Sequence, residues 1–322
     1  MRTDSVRQAR SAGSIPGMPV VSDRCGHDGI EAAAVSEDGV ISCGFPRCLA
    51  ASQAGWSPVP DRIGGRGVIE LKTATEIDRM REAGRVVAAT LEAVRRHAQA
   101  GVSLAELDEV ARAMIEQAGA KPAFLHYWPN WAPSPFPGVI CTSVNDVVVH
   151  GIPGPYRLAE GDVVSIDCGA SVDGWHGDAA VTFPIGPSTQ QDRMLLETTQ
   201  AALQDGIAAA VPGNRIGDVS RAIGVVGRSG GYGIPDLLGG HGIGRRMHEA
   251  PFVPNDGRAG QGTPLRPGMV LAIEPMLLTG GRDSFEYAAD GWSLHTGDGT
   301  RSAHMEHTVA ITEHGPRVLT IA

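Results

Sequence analysis

The stretch VVSIDCGASVDGWHGDAAVTF, residues 163–183, carries the clearest fold signal in the chain. Its apolar first part predicts a buried strand, residues 171–174 predict a turn, and residues 175–183 predict a returning strand. A hairpin folded at the middle of this turn places Asp167 opposite Asp178, with roughly 5 Å between their Cβ atoms. Facing carboxylates repel each other unless a cation or a proton lies between them, and a charge inside an apolar strand is costly. We therefore interpret the two aspartates as cation ligands rather than as solvated residues beside a turn.

Two glutamates and a histidine lie in similar short segments further along the chain. Glu274 ends the apolar run MVLAIE, Glu306 precedes the strand-like run HTVAI, and His241 lies between glycine pairs in GGHGIG. Each of them alone is more often a structural residue than a ligand. Together with the two aspartates they supply four negative charges, which balance the charge of two divalent ions and favour Mn, Fe, Co or Zn. Two histidines, His150 in VVHGIP and His248 in MHEAP, remain for chemistry.

Hydrophobic periodicity predicts two helix pairs, each followed by strands. The helices are expected at residues 75–100, 103–119, 190–210 and 215–228, and the strands at 138–150, 161–183, 268–278 and 303–311. Ser103 and Glu106 have the spacing of a capping box. The segment 101–111 matches the segment 213–223 in apolar spacing. This match predicts a duplicated helix–helix–sheet domain with a site at the seam, although any two amphipathic helices share some spacing.

Composition is that of a globular protein and disfavours several functional classes. Hydrophobic residues make up 42% and charged residues 20% of the 322 residues, as in ordinary enzymes. The net charge of −9 gives no support to nucleic-acid binding, and no apolar run reaches the roughly 18 residues of a membrane span. Five cysteines without regular spacing argue against a disulfide framework, and residues 1–10 lack the apolar core of a secretory signal. These features predict a cytoplasmic location.

Residues 1–67 differ from the rest of the chain. They are rich in Gly, Ser, Pro and Ala and show no sustained periodicity. Such a segment cannot bury enough apolar area to offset the entropy lost on ordering. We expect a mostly disordered extension at 1–67 and a folded domain at 68–322.

The motifs HGIP, IDCG, GDA, GHGIG, HEAP, IEP and EHT, spread over residues 69–322, together resemble the type I methionine aminopeptidases. The resemblance implies an α/β (α+β) pita-bread fold, in which two pseudo-symmetric helix–helix–sheet halves surround a curved antiparallel sheet. It also implies that residues 68–322 are a metallo-aminopeptidase domain with two divalent metal ions, whose identity the ligands leave open. By this resemblance Asp167 and Asp178 hold the first ion, Asp178, His241 and Glu274 hold the second, and Glu306 bridges both.

The same resemblance implies removal of the N-terminal methionine from new proteins whose second residue is small. Glu274 is then the proton acceptor and shuttle, His248 stabilises the developing oxyanion, and His150 contacts the backbone next to the scissile bond. The alternative for both histidines is a supporting role behind the metal ligands. The expected lining of the methionine pocket is Phe136, Cys141 and Trp292. The expected partners are the N-termini of nascent polypeptides near the ribosome, bound by a monomeric enzyme.

Two positions depart from the usual family pattern. The family commonly has a Tyr-His-Gly-like element just before the position of Phe136, where this chain has WAPSPFP. His126 is the candidate to replace the missing histidine after a loop shift. Met247 stands where many family members have phenylalanine. Both departures concern the shape of the pocket and the rate of turnover rather than the metal chemistry.

Two other functions are compatible with these motifs. A prolidase or X-Pro aminopeptidase resembles the chain at the ligands but usually carries a sizeable folded N-terminal domain, for which residues 1–67 are too short and irregular. A non-catalytic binding protein of the same fold usually loses metal ligands, and none is lost here. A metal-dependent methionine aminopeptidase is therefore the predicted function.

Overall fold

The computed structural model describes residues 69–321, and the extension expected at residues 1–67 lies outside the described residues. All four predicted helices form, with the bounds α1 (Ala74–His97), α2 (Leu104–Gln117), α3 (Gln190–Ala209) and α4 (Ile216–Ser229). Ser103 and Glu106 form the predicted capping box, in which each side chain accepts the backbone N–H of the other residue. An equivalent box of Thr73 and Glu76 starts α1 just before the predicted Thr75. No helix of the part described here combines the length and apolar character needed to cross a membrane.

The strands form antiparallel sheets. Their bounds are β1 (Lys121–Pro122), β2 (Ile140–Val144), β3 (Val147–Val149), β4 (Val163–Val172), β5 (Trp175–Pro184), β6 (Gly239–Gly242), β7 (Glu249–Pro254), β8 (Val270–Ile273), β9 (Met276–Leu278), β10 (Phe285–Tyr287), β11 (Leu294–Thr296), β12 (Ser302–His304), β13 (His307–Thr312) and β14 (Gly315–Val318). In the first sheet, β4 pairs with β5, β2 and β1. The second sheet has the order β14-β13-β8-β6-β7, and two smaller sheets have the orders β10-β11-β3 and β12-β9.

The β4–β5 hairpin forms where it was predicted, but its register differs from the prediction. Asp173 and Gly174, with φ angles of 50° and 75°, form a two-residue turn, and Asp167 pairs with Ala180 while Asp178 pairs with Gly169. The two aspartates are therefore diagonal neighbours and not directly opposite each other. They still share one face of the sheet, because side chains two residues apart along a strand point the same way.

Each helix pair packs against its own sheet through a buried apolar core. In the first half, Leu107 of α2 packs in one cluster with Ile166 of β4. In the second half, Leu203 of α3 and Ile223 of α4 pack in one cluster with Ile273 of β8. Complete burial of one such side chain stabilises a fold by roughly 1.5–3 kcal/mol. The helix–helix–sheet order predicted from the repeated spacing is thus present twice.

The two halves meet where β13 runs beside β5. The hydroxyl of Thr308 donates to the carbonyl of Asp178 at 2.7 Å and accepts from the N–H of Asp178 at 2.9 Å. The backbone N–H of Glu306 donates to the carbonyl of Ala180 at 2.9 Å. These bonds place carboxylates from both halves side by side at the seam.

Candidate active site

One pocket brings together the ten side chains that the sequence assigned to metal binding, catalysis or substrate binding. The pocket is lined by Phe136, Cys141, His150, Asp167, Asp178, His241, His248, Glu274, Trp292 and Glu306. Asp167, Asp178 and His241 lie on strands β4, β5 and β6, and Glu274 and Glu306 lie directly beside strands β8 and β13. Phe136 and Trp292 come from the segments between strands. The fold therefore assembles at one place residues that lie more than a hundred positions apart in the chain.

The five predicted metal ligands form the acidic end of the pocket, which we call the acid cluster (Asp167, Asp178, His241, Glu274 and Glu306). One ligand atom each of Asp178, His241 and Glu306 lie within 4.8 Å of one another. The Nε2 atom of His241 lies 3.7 Å from Oδ2 of Asp178 and 3.7 Å from Oε1 of Glu274. Its Nδ1 atom lies 2.9 Å from the carbonyl oxygen of Gly242. Because a carbonyl only accepts, Nδ1 carries the proton and Nε2 presents its lone pair to the carboxylates.

The carboxyl groups of the acid cluster are perturbed by burial and by each other. Burial raises the pKa of Asp167, Asp178 and Glu306 above their ordinary values. For Asp178 and Glu306, the negative charges of neighbouring carboxylates raise the pKa further. Burial also pushes the pKa of Glu274 upward, but the neighbouring imidazoles, first His304 and then His241 and His150, bring that pKa below its usual value. Glu274 is therefore the carboxylate of the cluster most readily ionised at neutral pH.

The acid cluster fits divalent metal ions. Within residues 69–321, Asp167 Oδ1, Asp178 Oδ1 and Glu306 Oε1 are buried and have no hydrogen-bond partner. Buried polar atoms without partners cost free energy, and so does the repulsion among the carboxylates. Positive ions between these oxygens would remove both costs, and an oxygen-rich set with one imidazole is a donor set that divalent metals accept.

Two further histidines, His150 and His248, line the same pocket. The rings of His241 and His248 lie 4.2 Å apart between centroids. Burial lowers the pKa of His150 to about 4 and lowers the pKa of His248 well below its ordinary value. Both imidazoles are therefore neutral at physiological pH. A neutral imidazole can donate one N–H to a substrate oxygen without adding a charge to the pocket.

The opposite end of the pocket is apolar and consists mainly of aromatic rings. We call Trp131, Phe136 and Trp292 the aromatic wall. The Phe136 and Trp292 rings meet edge to face at 5.0 Å, and the Trp131 and Trp292 rings meet in the same way at 5.0 Å. Cys141 lies between the two ends, because it pairs with Asp167 across the sheet and packs in one cluster with Phe136 and Trp292. Burial raises the pKa of its thiol, so that the thiol stays protonated. Such a polarisable apolar surface suits an unbranched thioether side chain.

Comparison with known proteins decides the family. The sequence profile of metallopeptidase family M24 matches residues 78–313. The chain belongs to metallopeptidase family M24. Methionine aminopeptidase 1 of Mycobacterium tuberculosis (strain CDC 1551 / Oshkosh) is 50% identical over 269 residues, which cover 81% of this chain and 98% of that relative. A crystal structure of methionine aminopeptidase from Thermotoga maritima superposes with a TM-score of 0.75 at 39% identity, covering 79% of this chain and all of that one. These relatives place the chain among the type I methionine aminopeptidases of M24.

Other M24 proteins share the fold at lower identity. The prolidase from Pyrococcus furiosus superposes with a TM-score of 0.63 at 24% identity, over 78% of this chain and 65% of that one. Identity at this level shows the pita-bread fold alone. The predicted fold class is thereby confirmed: an α/β arrangement of helix pairs on antiparallel sheets, shared by aminopeptidases and prolidases of M24.

One residue of this M24 site was not identified from the sequence. The Nε2 atom of His304 lies 3.3 Å from Oε2 of Glu274 and 4.0 Å from Oε2 of Glu306. Ligand atoms of these three residues form a second group within 4.8 Å of one another. The signal was present in the segment HMEH, because residues two apart in an extended chain point to the same side. His304 and Glu306 have this spacing.

The structure does not place His126 or Met247 in the pocket of this M24 domain. His126 is exposed, with a left-handed φ of 64°, and is not among the pocket-lining residues. Met247 is buried in the apolar core near Gly169 and does not line the pocket either. Tyr127 and Trp131 line the pocket instead. The loop folds back on itself after His126, and this turns Tyr127 inward while His126 points to solvent.

Proposed function

We propose that this M24 metallopeptidase hydrolyses the peptide bond after an N-terminal methionine, with preference for a small second residue. The observation that carries the proposal is the single pocket, which joins an acid cluster fit for metal ions to an apolar wall suited to a methionine side chain. The identity of 50% to a methionine aminopeptidase over most of the chain supports the same activity.

We further propose the division of labour within the acid cluster. Asp167, Asp178 and Glu306 would hold a first divalent ion, and Asp178, His241, Glu274 and Glu306 would hold a second. Divalent ions bound there would lower the pKa of bound water and would polarise the carbonyl of a substrate. Glu274 would accept the proton during hydrolysis, because the imidazole of His304, whose Nε2 lies 3.3 Å from Oε2 of Glu274, lowers the pKa of this carboxylate. His304 would thus support Glu274 directly.

The two neutral histidines have separate proposed roles. His248 would donate an N–H to the oxygen of the scissile carbonyl as negative charge develops on it. His150 would donate to the peptide backbone beside the scissile bond and orient it. Phe136, Trp292 and Cys141 would bind the methionine side chain. A pocket of this kind separates methionine from shorter aliphatic residues by only about 1–3 kcal/mol per methylene, so slow release of leucine is compatible with it.

The substrates would be the N-termini of nascent polypeptides close to the ribosome, and the enzyme would act as a monomer in the cytoplasm. The net charge of −9 gives no general affinity for nucleic acid. The enzyme would therefore come near the ribosome by binding the nascent chain and not by binding ribosomal RNA.

The proposal is tested with apoprotein reloaded with single metals (Co, Mn, Fe or Zn) and with four peptides at equal concentration: Met-Ala-Ser, Met-Leu-Ser, Leu-Ala-Ser and Ala-Pro-Ala. We expect metal-dependent release of methionine, fastest from Met-Ala-Ser. Faster cleavage of Ala-Pro-Ala would assign the chain to the X-Pro aminopeptidases. Activity of the metal-free protein would contradict the assignment of the acid cluster.

A further inference from the structure

The two ends of the loop between His126 and Phe136 are hydrogen-bonded to each other. The N–H of His126 donates to the carbonyl of Phe136 at 2.8 Å, and the N–H of Phe136 donates to the carbonyl of Tyr127 at 2.9 Å. The indole N–H of Trp128 donates to the carbonyl of Ala132 at 3.0 Å and closes the turn. The two backbone bonds fix the ends of the loop that carries Trp131.

A second set of contacts ties the loop to the segment that carries Trp292. The indole N–H of Trp292 donates to the carbonyl of Ser134 at 3.1 Å. Gly291, with a φ of 75°, lies so close to Pro133 that a Cβ at this position would collide with the proline ring. The loop and the Trp292 segment therefore form one unit, and Trp131 belongs to it.

The ring of His150 is oriented by this unit and not by a hydrogen bond to Nδ1. Its Nδ1 atom is buried and has no partner among residues 69–321, whereas Nδ1 of His241 is held by the carbonyl of Gly242. The indole of Trp131 stacks on the His150 ring with 6.0 Å between centroids and an interplanar angle of 23°. Trp292 meets the same ring edge-on at 6.3 Å and 87°. Ring packing therefore limits the rotation of His150.

We propose that Trp131 is a positioning residue, which holds the imidazole of His150 in the orientation that peptide hydrolysis requires. This inference rests on the proposed function for its kinetic test. Removing the indole leaves His150 without its stacking partner, so that the imidazole rotates out of alignment with the peptide backbone. A misplacement of about 1 Å near a reacting bond costs on the order of 10²-fold in rate. The loss should appear in kcat more than in KM, because Trp131 acts through His150.

The experiment compares Trp131→Leu, His150→Ala and the double variant, with Trp131→Phe as the conservative change and Trp128→Phe as the control. Leucine keeps apolar bulk but lacks a ring face, phenylalanine restores a ring, and the Trp128 variant loses only the hydrogen bond that closes the same loop. We expect kcat for Met-Ala-Ser to fall by more than about 10-fold in Trp131→Leu and to recover within a few-fold in Trp131→Phe. In the His150→Ala background, the Trp131→Leu change should alter kcat by less than about 3-fold.

Three outcomes overturn the proposal. Independent effects in the double variant would mean that Trp131 contacts the substrate directly, and an equal loss in Trp128→Phe would mean that loop closure alone matters. Crystal structures of the parent protein and of Trp131→Leu provide a readout that needs no activity. An unchanged His150 side chain in the variant would also overturn the proposal. A parent enzyme that fails to release methionine would refute the proposed function, while the orientation of His150 in the crystals would still decide the role of Trp131.

Discussion

The two ends of the pocket are built in different ways. The acid cluster lies on or directly beside strands of both sheets, and hydrogen bonds such as those of Thr308 fix these strands to each other. The aromatic wall lies on segments between strands, and Trp131 belongs to a loop whose two ends are hydrogen-bonded to each other. The motifs of the acid cluster therefore predicted its side chains one by one. At the other end, the loop brought in Trp131 and Tyr127, which no motif had indicated.

The two ends also differ in their tolerance to change. Buried carboxylates depend on charge balance, and one wrong charge affects the whole cluster. The aromatic wall depends on packing, in which a change of volume has a graded effect. The predictions that follow test this difference, from the largest expected effect to the smallest.

Asp178→Asn and Glu306→Gln should abolish activity and reduce bound metal. Each substitution removes a negative charge from the centre of the acid cluster, where both side chains are proposed to contact both ions. Loss of a residue that only supports a metal ligand already lowers metal affinity or activity about 10–100-fold. For loss of a ligand itself we therefore expect less than about 1% of the parent kcat/KM. Metal analysis of the purified variants and peptide assays measure the two effects.

Asp173→Asn is the matched control for Asp178→Asn. It makes the same chemical change in the same hairpin, at an exposed turn position whose φ of 50° asparagine tolerates. The control should keep both its metal and its activity. Parent-like metal content and turnover in Asp178→Asn would refute the ligand assignment.

His248→Ala should lower kcat by about 10²–10³-fold, the usual effect of losing one donor to a developing oxyanion. Bound metal should remain unchanged, because His248 is not part of the acid cluster. His314→Ala, at an exposed position, serves as the control for loss of a histidine. Loss of metal from the His248 variant would show instead that this histidine is a ligand.

The metal-free protein should lose stability as the pH rises from about 6.5 to 8. Burial and neighbouring carboxylates raise the pKa of Asp178 and Glu306, so the folded state retains protons that the unfolded state has released. The free energy of unfolding therefore falls with rising pH in this window. Below about pH 6.5 the lowered pKa values of His150 and His248 have the opposite effect, because these histidines bind protons in the unfolded state but not in the folded state. Their contribution to the free energy of unfolding therefore rises with pH in that range.

Thermal melts of metal-free and metal-loaded protein across this range measure the dependence. The slope should be smaller in metal-free Glu306→Gln, which lacks one of the two carboxyls, and metal loading should remove most of it in the parent protein. A metal-free protein that becomes more stable from pH 6.5 to 8 would contradict the raised pKa values.

His126→Asn should leave kcat and KM within about 2-fold of the parent enzyme. Substitutions at exposed positions outside the core and the active site usually have small effects. Asparagine is the suitable replacement because it tolerates the left-handed φ of 64° at this position. Steady-state kinetics with Met-Ala-Ser measure the effect. A large loss of kcat would mean that the loop rearranges when substrate binds and brings His126 into the pocket. The aromatic end would then also depend on a single chemically specific side chain, as the acid cluster does.

The sequence by itself determined the local elements and the chemistry of the site. Helix periodicity and the capping box at Ser103 depend on neighbouring residues, and both form as predicted. The turn predicted at residues 171–174 also forms, but it is centred on Asp173 and Gly174, one residue later than expected. The alternation of side chains along strands also placed Asp167 and Asp178 on one face, although the predicted pairing between them was wrong. The site chemistry could be predicted because each motif contains chemically distinctive residues next to each other in the sequence.

Tertiary structure alone decided the strand register, the approach of His304 to Glu274 and the placement of Trp131 against His150. Each of these depends on segments distant in the chain or on the path of an irregular loop. Side-chain periodicity repeats every two residues in a strand, so the sequence specifies a face but does not distinguish registers that differ by two. Irregular loops have no periodicity at all, and their conformation follows from hydrogen bonds such as that between Trp292 and Ser134, which exist only once the distant segments have met.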